Sequence, residues 1–173
     1  MTIETYVARV LRYLSILFFL IALFLCYSNL PDLVAVHFAP SGQADGFLGR
    51  DSLFYATGGV MLAFNVLLLV LARRFAALPD RAVEVFGPTT WRAYPEALRR
   101  ALGNWLLLGA AALNVFLGLC LNALSELNDA EPTETVFDYR WLLGLGAGLL
   151  LAWLLYLPVR FGLTKPSLRE RML

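Results

Sequence analysis

The chain has 173 residues, of which 60% are hydrophobic and 16% charged, and a formal net charge of +1. A soluble domain of this size is about half apolar and a quarter charged, so the composition argues against a water-soluble globule. The length holds one membrane domain, residues 1–173; lipid is an expected partner and nucleic acid is not. Both cysteines, Cys26 and Cys120, fall in apolar blocks away from any Cys/His cluster, which excludes a thiolate zinc site. A disulfide between them is conceivable, but a small buried apolar side chain is the favoured reading of each.

The first apolar block occupies 13–28 behind Arg9 and Arg12 and extends back through Val10 and Val7. That gives about 20 helical residues, enough for a hydrocarbon core of about 30 Å. Asn29-Leu30-Pro31-Asp32 follows instead of a small-residue cleavage site, so the block reads as an uncleaved span and not as a signal peptide. Four spans are expected at about 10–29, 53–72, 105–124 and 141–161. Trp105 and Trp141 stand at block ends, the depth that aromatic rings with a polar edge prefer. The fold class that follows is an all-α four-helix transmembrane bundle with a structured extracytoplasmic loop between the first two helices.

Basic residues set the orientation. Twelve of the 14 lie at the N-terminal end of the first span, in the 75–104 loop or its flanks, or at and beyond the end of the fourth span. Only Arg50 and Arg140 lie on the other side. Both termini are therefore expected in the cytoplasm of a multi-pass protein of the bacterial inner membrane. The 125–139 loop reads as an acidic, solvated connector, and the 162–173 tail as a basic segment at the inner headgroups.

The 30–52 loop is the most informative stretch. Val34, Val36 and Phe38 alternate with Ala35, His37 and Ala39, the period of a short strand. Pro40-Ser41-Gly42 and Asp45-Gly46 read as two turns in which glycine supplies φ > 0. His37 is the one histidine; with Asp32, Asp45 and Asp51 it could form a weak metal site, or it could bond Asp45 and pin the turn. One imidazole and loosely spaced carboxylates favour the pin, so no metal and no cofactor are expected. Ser41 beside His37 has no accompanying oxyanion motif, and no catalytic residue is expected.

Leu30-Pro31-Asp32, Val36-His37-Phe38, Gly42 and Asp45-Gly46-Phe47 together resemble the L-P-x-x-[VI]-x-x-H-[FW]-x-x-x-G-x-x-D-G-[FWY] signature of a bacterial membrane family. That family is catalogued as domain of unknown function 1648 and includes an immunity protein against the sporulation-delaying toxin. Leu48-Gly49-Arg50 departs from the small residue or proline and the lysine usual there. The resemblance implies a non-enzymatic recognition, immunity-like or signalling role, with a peptide toxin or a partner membrane protein as ligand. A small transporter or an accessory subunit of a membrane complex is the alternative. In the 75–104 loop, Pro88, Trp91 and Arg92 are similar to a second family segment, without its asparagine, and Trp91 and Arg92 read physically as an interfacial anchor.

Within the spans, polar residues are few. Asn65 sits deep in the second, and Asn114, Gly118 and Asn122 recur every four residues in the third, with Ala111 in line. Amides in hydrocarbon need partners, so this stripe is expected to face protein. Gly144 and Gly148 in the fourth span permit a close helix contact, inside the bundle or in a homo-oligomer.

Overall fold

The computed structural model describes residues 2–129 and 135–163. In chain order these form α1 (Ile3–Asn29), β1 (Leu33–Phe38), β2 (Ala44–Gly49), α2 (Arg50–Ala76), α3 (Asp80–Val83), α4 (Pro95–Leu127) and α5 (Trp141–Leu163). Single 3-10 turns occupy Glu84–Phe86, Thr89–Trp91 and Val136–Tyr139. Glu131 and Glu134 of the acidic connector, and Lys165, Arg169 and Arg171 of the tail, lie outside the described residues.

Four helices, α1, α2, α4 and α5, are long and apolar enough to cross a membrane, and the chain is an all-α multi-pass membrane protein. Their exposed surface carries large apolar side chains such as Leu17, Phe24, Leu62 and Leu143, as lipid contact requires. The helices outrun the expected spans. α1 begins at Ile3, α2 at Arg50 and α4 at Pro95. Hydropathy marks only the lipid-embedded part of a helix, while the backbone ladder continues through the interface for as long as nothing breaks it. α2 is stabilised at both ends, with Asp51 in its first turn and Arg73 and Arg74 in its last, each opposing the helix dipole.

The described residues group into two compact units. One, Leu14–Ala63 with Leu113–Gly148, contains the hairpin β1–β2. Its core joins Phe19, Leu23, Cys26, Leu30, Val34, Met61 and Leu121, with Leu53, Phe54 and Leu117 packed around them. Leu30 and Val34, the residues just before and just inside β1, are thus part of the helix core and not of a separate cap. Cys26 and Cys120 are both free thiols.

The other unit, Met1–Tyr13 with Phe64–Ala112 and Leu149–Leu173, contains the α2–α4 connection. Its core is Val83, Trp91, Ala97, Leu98 and Leu102, covered by Phe75, Tyr94, Leu157 and Phe161. Gly87 lies so close to Leu98 that a Cβ there would come within 2.5 Å of its Cδ2. Trp91 is 1% exposed. Its indole N–H donates to the Phe161 carbonyl at 3.3 Å, and Arg160 stacks over its ring. The interfacial-anchor reading of Trp91 is therefore wrong; the ring belongs to the core, while Pro88 and Arg92 beside it are exposed. Trp105, half-buried, also has a partner within its unit. It stacks on Trp153 at 4.6 Å, and each indole N–H donates to the other residue's carbonyl, at 2.8 and 2.9 Å.

Candidate recognition surface

The hairpin begins where α1 stops. Pro31 cannot continue the helix ladder, and the chain turns into β1 with Val34 fully buried and Ala35 7% exposed. Two adjacent buried residues break the expected alternation, and the register explains why. Ala35 pairs with Phe47 and His37 with Gly46, so Val36 is an extra residue on β1. His37 pairs with Gly46 and Phe38 with Ala44, so Asp45 is an extra residue on β2. Two bulges, one on each strand, restore the register while re-aiming the side chains around them.

Only one of the two expected turns exists. The reversal lies at 39–43, where the Ala39 N–H donates to the Gln43 carbonyl and the Gly42 N–H to the Ala39 carbonyl. Gly42 takes φ +86, the left-handed region that glycine enters at no steric cost. Asp45-Gly46 lies inside β2, and Gly46 has no positive φ. Its small size is needed for another reason: a Cβ there would stand 2.8 Å from the His37 Cβ across the ladder.

Three sets of contacts hold the hairpin. At its base, Arg50 donates to the Leu30 carbonyl at 3.0 Å and pairs with Asp32 at 2.9 Å. The Tyr27 hydroxyl donates to Asp51 at 2.9 Å. Along the outer edge of β1, Asn128 at the end of α4 accepts from the Ala35 N–H at 2.7 Å and donates to the Ala35 carbonyl at 3.1 Å. Its amide nitrogen also reaches the Leu124 carbonyl at 2.9 Å. At the tip, the Phe137 ring packs under Gly42.

His37 bonds Asp45 through Nδ1, but both side chains are largely exposed, 72% and 48%. The expected bond to Asp45 is thus present, and an exposed pair contributes at most about 1 kcal/mol. Asp32 and Asp51 are drawn to Arg50 and Tyr27, away from His37. Among the described residues no three His, Cys, Asp or Glu side chains gather as metal ligands. The remaining signature residues divide by burial. Leu30 is core, Phe38 is half-buried, and Pro31 and Phe47 are exposed. Asn128 and Arg50 were missed as structural ties. Asn128 was hidden in an acidic loop, and Arg50 was read as a charge and as a departure from the signature.

Of the polar residues in the spans, Asn114 is fully buried and donates to the Ser15 hydroxyl at 3.1 Å. Asn65, Ala111 and Gly118 are buried as well. A Cβ at Gly118 would meet the Phe18 ring at 2.5 Å. Asn122 departs from the stripe and is exposed. Steps of four residues overshoot a turn of 3.6, so over two steps the stripe rotates by about 80° around the helix. No protein neighbour lies within 4 Å of a Cβ built at Gly144 or Gly148, so that glycine pair makes no close contact among the described residues.

No curated protein and no solved structure matches the chain. Residues 14–58, from α1 through the hairpin to the start of α2, match the family model described as Domain of unknown function (DUF1648).

Proposed function

We propose that the chain is a non-enzymatic recognition protein of the bacterial inner membrane, immunity-like or signalling in role. The hairpin stands on the extracytoplasmic side, and both termini are cytoplasmic. An extended segment of a peptide toxin or partner membrane protein adds along the free edge of β2.

The observation that carries this reading is the asymmetry of the hairpin. Its ties sit on β1, at the base and at the tip, whereas the middle of β2 is left open. Among the described residues β2 pairs only with β1, and beside its other edge Phe47 is 53% and Leu48 37% exposed. An open edge next to exposed apolar side chains supports strand addition, in which backbone hydrogen bonds supply affinity and side chains supply selectivity. The distribution of Lys and Arg supports the orientation.

A photo-crosslinking phenylalanine analogue at Phe47, expressed in living bacteria, tests the reading. A discrete protein adduct is expected there, and lipid adducts alone at the lipid-facing control Leu143. A synthetic peptide copying the crosslinked segment should compete the Phe47 adduct away. Lipid adducts alone at both positions would contradict strand recognition.

A further inference from the structure

In the unit that holds the α2–α4 connection lies a cavity of about 410 Å³. Three helices supply its charge. Arg9 and Arg12 come from α1, Arg73 from α2, and Arg99 and Arg100 from α4. Glu96 is the one carboxylate among the described lining residues, and Arg99 holds it at 2.7 Å. Arg99 is further committed to the Leu78 carbonyl and to Asp80. Among the described residues, the lining thus carries five guanidiniums and one carboxylate.

Asn104 adds a second, independent sign. It lines the same cavity, four residues from Arg100 and hence on the same face of α4. The residue is 2% exposed, and its amide nitrogen has no hydrogen-bond partner. Buried amide donors are rarely left in that state, because desolvation is not repaid unless an acceptor arrives. Guanidinium groups and an amide NH2 are all donors. The missing partner is therefore rich in acceptor oxygens and negatively charged.

We infer that this cavity binds a phosphate group, held by Arg12, Arg73 and Arg100 with Asn104 donating to one of its oxygens. Phosphate suits the donor set because planar guanidiniums bind its oxygens in pairs, and several can approach one tetrahedral group from different helices. Leu69, Ala72 and Leu107 form the apolar part of the wall. The phosphate belongs either to an anionic phospholipid headgroup, which basic pockets between membrane helices commonly take, or to a soluble phosphate. This inference is independent of the hairpin.

Native mass spectrometry of the purified full chain in detergent, titrated with phosphatidylglycerol or with inorganic phosphate, tests it. Arg12→Gln and Arg73→Gln should each weaken binding by about tenfold, the loss of a charge-assisted hydrogen bond. Arg74→Gln, which removes the same charge outside the lining, should leave it unchanged. Asn104→Leu should also weaken binding while raising the thermal midpoint of the ligand-free protein, since it removes an unpartnered buried donor. Retention of phosphatidylglycerol that inorganic phosphate does not displace assigns the site to a headgroup. Binding of inorganic phosphate, lost in the same variants, assigns it to a soluble phosphate. Failure of both probes to bind, or equal losses in Arg73→Gln and Arg74→Gln, would overturn the inference.

Discussion

Asn128 grips Ala35 by both faces of its peptide unit, accepting from its N–H at 2.7 Å and donating to its carbonyl at 3.1 Å. The carboxamide imitates a neighbouring strand for one residue. It satisfies backbone groups that β2, on the other side of β1, does not reach, and it fixes the hairpin to the end of α4.

Asn128→Ala should therefore loosen the hairpin more than any exposed substitution on it. The buried Ala35 groups lose their partner, at a cost of about 1–3 kcal/mol. Hydrogen exchange of the β1 amides should accelerate and the thermal midpoint in detergent should fall. Asn128→Asp keeps an acceptor for the Ala35 N–H but sets an oxygen against its carbonyl, so it should rescue little. Unchanged β1 protection in Asn128→Ala would show that the edge contact does not hold the hairpin.

Gly46 and His37 exchange the roles that their residue types suggest. His37→Ala should cost less than about 1 kcal/mol, because its pair with Asp45 is exposed. Gly46→Ala should cost more, because its new Cβ meets the His37 Cβ at 2.8 Å. Alanine at 37 keeps that Cβ and should not relieve the clash, whereas His37→Gly should. Thermal unfolding of His37→Ala, His37→Gly and Gly46→Ala, and of the Gly46→Ala double variants with each, decides it. A large loss in His37→Ala alone would make the histidine the pin.

How much of this was readable beforehand follows from what hydropathy encodes. Runs of about 20 apolar residues announce four spans, because lipid demands that length. The hairpin was visible in Val34, Val36 and Phe38 and in Gly42, but its bulges were not. An alternating pattern fixes a face only while the register is unbroken, and Val36 and Asp45 each shift it. Trp91 was read as an interfacial anchor by a rule about depth that cannot tell a wetted ring from one packed inside protein. Asn128 and Ala35 are 93 residues apart, and nothing local to either announces the other.

Helix packing around Gly118 offers a third check. A Cβ there would meet the Phe18 ring at 2.5 Å, so Gly118→Leu forces α4 and α1 apart locally. Overpacking of this kind costs about 1–3 kcal/mol. The thermal midpoint in detergent should fall further for Gly118→Leu than for Leu117→Ala, and Phe18→Ala should restore part of the loss. Equal midpoints for wild type and Gly118→Leu would mean that this face of α4 does not pack on α1.

The most direct test of the account is which side of the membrane the hairpin occupies. In a Cys26→Ala/Cys120→Ala background, Gln43→Cys reports the hairpin tip and Arg92→Cys the α2–α4 connection. A membrane-impermeant maleimide applied to intact spheroplasts should label Gln43→Cys within minutes and reach Arg92→Cys only after permeabilisation. Labelling of Arg92→Cys in intact spheroplasts with Gln43→Cys protected would invert the molecule and remove the hairpin from the face where it is proposed to meet its partner.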